Sequence, residues 1–264
     1  MDVINITWVQ LGLAFLIMLL PAWILWQYRT SLNTKLLTSS VRMVLQLLFV
    51  GYYLEYLFKF DNPWVNAAWI LVMVMVADYA TIDRSDLKRK SSVLLPVFVA
   101  TLLGIVVIDF FFLEFVIRLP KFLAAQYTIP ITGMVLGNCL RSNVIGINAF
   151  YYGLDEHKER YQFYLGCGAT RTEALQPFIS KALQKSANPT LASMATIGLV
   201  ALPGMMTGQI LGGNSPIIAI KYQIMIMVAI FSGTILSVFL GIIITNRFVF
   251  KDTDMLDESI LNKS

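Results

Sequence analysis

Long apolar runs separated by short polar stretches dominate the chain. Seven runs stand out, at 6–27, 41–58, 64–82, 93–117, 127–150, 189–212 and 219–245, each near the roughly 20 residues a helix needs to cross a bilayer. The pattern predicts an all-α integral membrane protein with about seven transmembrane helices, organised as one polytopic domain over residues 1–264. The first run is too long for the core of a signal peptide, and Asp2 stands where a signal carries Lys or Arg. It therefore reads as a retained span. One longer polar stretch, 151–188, interrupts the series and has a helical pattern.

Composition narrows the class further. Hydrophobic residues make up 57% of the chain and charged residues 14%, well below the roughly 25% charge of soluble domains. Soluble enzymes, disordered chains and disulfide-stapled modules are excluded, and two cysteines in such a chain imply neither a disulfide framework nor a zinc site. The net charge of +4 reads as an orientation signal; no nucleic-acid partner is expected. Alternate loops carry most of the basic residues: Arg29, Lys35 and Arg42; Arg84, Lys88, Arg89 and Lys90; Lys158, Arg160, Arg171, Lys181 and Lys185; then Arg247, Lys251 and Lys263. The opposite loops hold only Lys59, Arg118, Lys121 and Lys221. Cytoplasmic loops carry the excess. The N-terminus is expected outside, the C-terminus inside, and the protein in the plasma or inner membrane as a multi-pass chain.

This orientation puts 151–188 in the cytoplasm. It contains Leu165-Gly166-Cys167-Gly168-Ala169-Thr170-Arg171-Thr172-Glu173-Ala174, where small residues permit close docking and Arg171 and Glu173 add charged contacts. A short helix there is expected to couple the spans to a partner; a bare connector is the alternative. Further on, Leu202-Pro203-Gly204-Met205-Met206-Thr207-Gly208 places a helix breaker inside one apolar run, so the sixth span is expected to be discontinuous at Leu202–Gly204.

Around these motifs the chain resembles the FetB-type permeases, the membrane subunits of bacterial iron-export ABC transporters. The Gly168-Ala169-Thr170 loop is similar to that family's coupling motif. The Pro-Gly-Met-Met block, followed by Ala219-Ile220-Lys221-Tyr222-Gln223-Ile224-Met225, is similar to its most distinctive signature. Gln46-Leu47 to Gly51-Tyr52, and Ile129-Pro130-Ile131 with Gly133-Met134 and Gly137-Asn138, add support. The third span, with Asp78, follows no family pattern. The resemblance implies export of iron or a related metal by alternating access. Coupling would involve Gly168, Ala169, Thr170, Arg171, Glu173 and Ala174. No Gly-x-x-x-x-Gly-Lys-Ser/Thr loop is present, so the chain is expected to bind no cofactor and to have no enzymatic activity of its own. ATP and Mg would sit on a separate ATPase subunit, with iron as the transported substrate. A homodimer of permeases is also implied, and Gly133-x-x-x-Gly137 and the Gly204, Gly208, Gly212 series offer small-residue contact faces.

Polar residues at membrane depth mark the expected translocation path, because they are costly there and face a bundle interior or water. The candidates are Gln46, Asp78, Met134, Asn138, Arg141, Pro203, Met205 and Met206. Asp78 and Arg141 both fall about 21 Å below the outer ends of their spans at 1.5 Å per residue, so an ion pair between them is one expectation, the alternative being that Arg141 snorkels to inner headgroups and Asp78 reaches interfacial water. Met205 and Met206 are the candidate metal ligands, set against ordinary packing, since thioethers suit soft metals and Fe(II) favours imidazole and carboxylate. Cys139 belongs to the same group. Asp109 and Glu114 lie near the outer end of the fourth span, and His157 reads as a solvated loop residue. A secondary carrier or channel is the competing class, but the ionisable residues form no obvious proton relay. A membrane-embedded enzyme is disfavoured by a single His placed in a loop.

Overall fold

The computed structural model describes residues 5–85, 87–88, 91–119, 121, 123–250 and 254–261. Asp2, Arg89, Lys90, Lys251 and Lys263, which entered the charge pattern, lie outside the described residues. The described chain is helical, with only isolated β-bridges and no named strand. Five stretches are long and apolar enough to cross a membrane: Trp8–Gln27, Asn33–Phe60, Pro63–Arg84, Ser92–Ile117 and Pro216–Val249.

The chain forms two compact units, Met1–Asp61 with Leu211–Gly213, and Asn62–Ile210 with Asn214–Ser264. The first unit holds α1 (Trp8–Leu16), α2 (Leu19–Gln27) and α3 (Asn33–Phe60). Its first apolar run, expected as one helix, is two. Pro21 lacks an N–H and its ring clashes with the carbonyl four residues back, which is that of Ile17, where the turn between α1 and α2 falls. Thr7 starts α1 with a capping box closed by Gln10.

The second unit contains α4 (Pro63–Arg84), α5 (Ser91–Phe110) with a π-helical extension (Phe111–Ile117), α6 (Ala125–Glu156), α7 (Lys158–Gly166), α8 (Arg171–Thr196), α9 (Gly204–Leu211) and α10 (Pro216–Val249). Asn62 caps α4 by accepting from the Trp64 amide, and Pro63 occupies the first turn, where its missing N–H costs nothing. α6 and α10 are central: α10 packs on α5, α6 and α8, while α6 packs on α4 and α8 as well. Their closest approaches use glycine. A Cβ on Gly146 would lie 2.5 Å from Val238 Cγ1, and one on Gly233 2.8 Å from Val135 Cγ1. The expected small-residue faces differ from these. Gly137, Gly204 and Gly208 have open space around them, and only Gly133 has a near neighbour, the Met73 methyl.

Sequence alternation becomes spatial segregation in this bundle. At one end, Leu87, Tyr161, Ala174, Phe178, Val249 and Leu261 share a hydrophobic cluster, and the Lys88 amide donates to the Ile260 carbonyl at 2.7 Å. The α4–α5 connection, the α6–α8 region and the C-terminal segment therefore meet. At the other end, the Asn66 amide donates to the Leu123 carbonyl at 2.8 Å, tying the start of α4 to the entry of α6. Between the ends, apolar side chains such as Leu95, Val106, Phe111, Phe115 and Ile224 point outward and are exposed, as a lipid-facing surface requires.

Candidate functional site

Construction begins at the turn between α7 and α8. Gly168 has φ +90°, a left-handed conformation that glycine adopts without penalty after a helix C-terminus. Thr170 then caps α8: its hydroxyl accepts from the Glu173 amide, and the Glu173 carboxylate accepts from the Thr170 amide at 2.8 Å. The Thr170 hydroxyl, which also donates to the Glu173 carboxylate at 2.7 Å, and then the Thr170 amide hold the Glu173 carboxyl below the usual carboxylate range. The two charges expected at a partner's rim thus have intramolecular work. Arg171 pairs with Asp254 at 3.2 Å and lies over the Phe250 ring. Ala174 is buried against the first cluster. Gly166, Cys167, Gly168, Thr170, Thr172 and Glu173 are exposed at the turn, with Ala169 and Arg171 half-buried. Beside it, burial foremost, reinforced by the Asp254 charge, pushes the Tyr161 phenol up to about 12; its hydroxyl donates to the Asp254 carbonyl at 2.8 Å. His157 is exposed, as expected.

The helix expected to be short is long. Arg171 opens a helix that continues through two internal prolines, Pro177 and Pro189, to Thr196, about 39 Å at 1.5 Å per residue, so one continuous helix joins the capped turn to what was read as the sixth span. That span is indeed discontinuous. Its break occupies Ile197–Pro203, earlier and longer than the expected Leu202–Gly204. Ile197 is extended, Gly198 has φ +85°, and the Gly198 amide donates to the Ala201 carbonyl at 2.9 Å. α9 restarts at Gly204.

Beside the break lies a crevice of about 270 Å³ lined by Asn138, Arg141, Ser142, Thr190, Ser193 and Pro203, with apolar walls from Met227 and Ile230. It brings together three of the expected path residues, Asn138, Arg141 and Pro203. Met134 and Met205 pack instead against the second core cluster, which includes Cys139. Met206 is half-buried, and Gln46 is exposed on the first unit. Among the described residues no group of three or more His, Cys, Asp or Glu side chains is placed to hold a metal.

The expected Asp78–Arg141 ion pair is not formed. Asp78 is buried, and its Oδ1 accepts from the Thr101 hydroxyl at 2.9 Å. Arg141 projects from a different face of α6, exposed and lining the crevice. A depth counted along each helix leaves the facing of its side chains undetermined. Asp78 belongs to a hub from four helices. Asn143 donates to Thr101 (3.2 Å) and to Ser237 (2.9 Å), and Ser237 donates to Thr101 (3.3 Å). Thr101 alone donates to the carboxylate and receives the bonds from Asn143 and Ser237, while Asp78 Oδ2 and Asn143 Oδ1 are buried without a hydrogen bond among the described residues. Nearer the other end, Thr132 donates to Asp109 Oδ2; Asp109 and Glu114 line an apolar cavity of about 340 Å³. Thr101, Thr132, Asn143, Thr190 and Ser237 were missed in the sequence. The signal for two of them was available: Thr132 and Asn143 fall on the face of α6 marked by Thr128, Leu136, Cys139 and Gly146, all buried.

Similarity to known proteins agrees with this architecture. The UPF0014 family, described as an uncharacterised protein family, matches residues 8–250. The chain belongs to that family. It is 33% identical to the UPF0014 membrane protein YjkA of Bacillus subtilis (strain 168) over 83% of this chain and 86% of the relative. It is 29% identical to the probable iron export permease protein FetB of Escherichia coli (strain K12) over 98% of both chains. Protein ALUMINUM SENSITIVE 3 of Arabidopsis thaliana is 31% identical over 81% of this chain and 77% of the relative. No solved structure matches.

Proposed function

We propose that this chain is the permease subunit of an ABC exporter that moves iron or a related metal ion out of the cytoplasm, with ATP hydrolysed by a separate subunit. The observation that carries the reading is the end-to-end likeness to a probable iron export permease, 98% of each chain. In this reading the chain crosses the plasma or inner membrane seven times, N-terminus out and C-terminus in, and two copies assemble with two ATPases. Gathering of the positively charged connections at one end of the bundle favours that orientation.

The mechanism follows from α8. A partner docked on the exposed Gly166–Thr172 turn would push on the capped N-terminus of a single helix. Pro189, Thr190 and Ser193 near its far end line the crevice, and the break at Ile197–Pro203 supplies the hinge. Closure of the ATPases would thus widen or close the crevice through movement of this helix, which is alternating access driven from below. The test is co-expression with a Walker-A ATPase, followed by measurement of ATP hydrolysis by the purified complex across a series of metals. Stimulation by iron is the expected result. Failure of any ATPase to co-purify would favour a carrier acting alone.

A further inference from the structure

We infer that the crevice beside the broken helix is an oxyanion-binding site, centred on Arg141 and Thr190, that takes a phosphate or carboxylate group. The claim concerns binding alone and stands or falls apart from the proposed transport. Its first support is charge. Arg141 lines the crevice, and none of the described residues lining it is acidic.

Hydrogen-bond accounting supplies the second. Ser193 donates to the Pro189 carbonyl at 2.9 Å, Ser142 to the Ser186 carbonyl at 3.4 Å, and Asn138 to the Met134 carbonyl at 2.8 Å. These local carbonyls are therefore engaged by donors from the crevice side chains themselves. What is left over is donor capacity: the guanidinium of Arg141, the second amide hydrogen of Asn138 and the hydroxyl of Thr190. Thr190 is 7% exposed, and its hydroxyl makes no hydrogen bond to any described residue. That hydroxyl lines the crevice as an unengaged donor. A guanidinium fork beside spare neutral donors, with apolar walls that lower the local dielectric, matches a planar or tetrahedral oxyanion. A bare metal cation would be repelled there. A metal carried by an oxyanion would not.

Phenylglyoxal labelling of Arg141, read by mass spectrometry on the full-length protein, tests the inference, with the exposed Arg247 as internal control. In an uncharged maltoside detergent, inorganic phosphate should slow labelling of Arg141 about tenfold relative to Arg247, the worth of one charge-assisted hydrogen bond. Thr190→Val should reduce that protection about threefold, as loss of a neutral hydrogen bond predicts. The same labelling in phosphatidylcholine–phosphatidylglycerol nanodiscs separates the sources. If Arg141 is already protected there and added phosphate changes nothing, the oxyanion is a lipid headgroup. If added phosphate still protects, it is a soluble anion. Either result supports the site. Equal reactivity of Arg141 and Arg247 under every condition overturns it, and so does protection that Thr190→Val leaves unaltered.

Discussion

At Gly146 a methyl group would meet Val238 Cγ1 at 2.5 Å and Ser186 Cβ at 3.5 Å, and valine, branched at Cβ, has little freedom to swing aside. Gly146→Ala is expected to destabilise the bundle by about 1–3 kcal/mol, the usual cost of overpacking, and Val238→Ala in the same chain should restore most of the loss. Thermal unfolding of the two variants in detergent checks this. Thr101 offers a second test, because its one hydroxyl serves Asp78, Asn143 and Ser237 together. Thr101→Val should cost about 1–3 kcal/mol by leaving buried polar groups unpaired. Combined with Asp78→Asn, the loss should be clearly non-additive, since both changes act on one network. Additive losses would show that the hub is not a unit.

The element whose behaviour matters most is α8. Its start is defined by Gly168, Thr170 and Glu173, so a bulky residue at Gly168 would strain the turn before testing any docking. The cleaner probe is exposed Cys167. Cys167→Trp should block association with an ATPase partner while leaving stability unchanged. Gly168→Ala should instead destabilise the turn by about 1–2 kcal/mol through its left-handed backbone, and Thr170→Ala should cost about 1 kcal/mol through the lost cap. Co-purification and unfolding measured side by side separate the two effects. Tyr161 gives the same region a pH dependence. Its phenol is held protonated up to about 12 in the fold, against about 10 in an unfolded chain. Between those values the unfolded state binds fewer protons, so stability falls as pH rises. Tyr161→Phe should remove that decline above pH about 10.

For the whole molecule, the charge pattern and the bundle's two ends make one prediction. A membrane-impermeant thiol label on a cysteine placed at Asn214 should react from outside, and one at His157 only after the membrane is opened. Reversed labelling would remove the proposed orientation and the cytoplasmic role of the α7–α8 turn together. The bundle also explains why α6 is absent from the stretches apolar enough to cross a membrane. α4, α5, α8 and α10 pack against it, so its polar positions face protein. A helix shielded by neighbours tolerates Thr, Asn and Ser that a lipid-facing helix would not.

The all-helical membrane class, five of the apolar spans and the break near Pro203 were legible in the sequence. Each depends on a local quantity: hydropathy over one helix length, or the missing N–H of a proline. Family membership was legible too, because the Pro-Gly-Met-Met block is compact. The facing of side chains was not. Asp78 and Arg141 share a depth, yet one turns into a four-helix hub and the other toward a crevice, and rotation about a helix axis is set by packing against neighbours. The intramolecular contacts of Arg171 and Glu173 were not legible either: the fold brings Asp254 and Phe250 beside Arg171, and Glu173 caps its own helix. The close-packed glycines proved to be Gly146 and Gly233, which no short motif marks. Contacts between residues far apart in the chain decide these points, and hydrophobic periodicity carries no record of them.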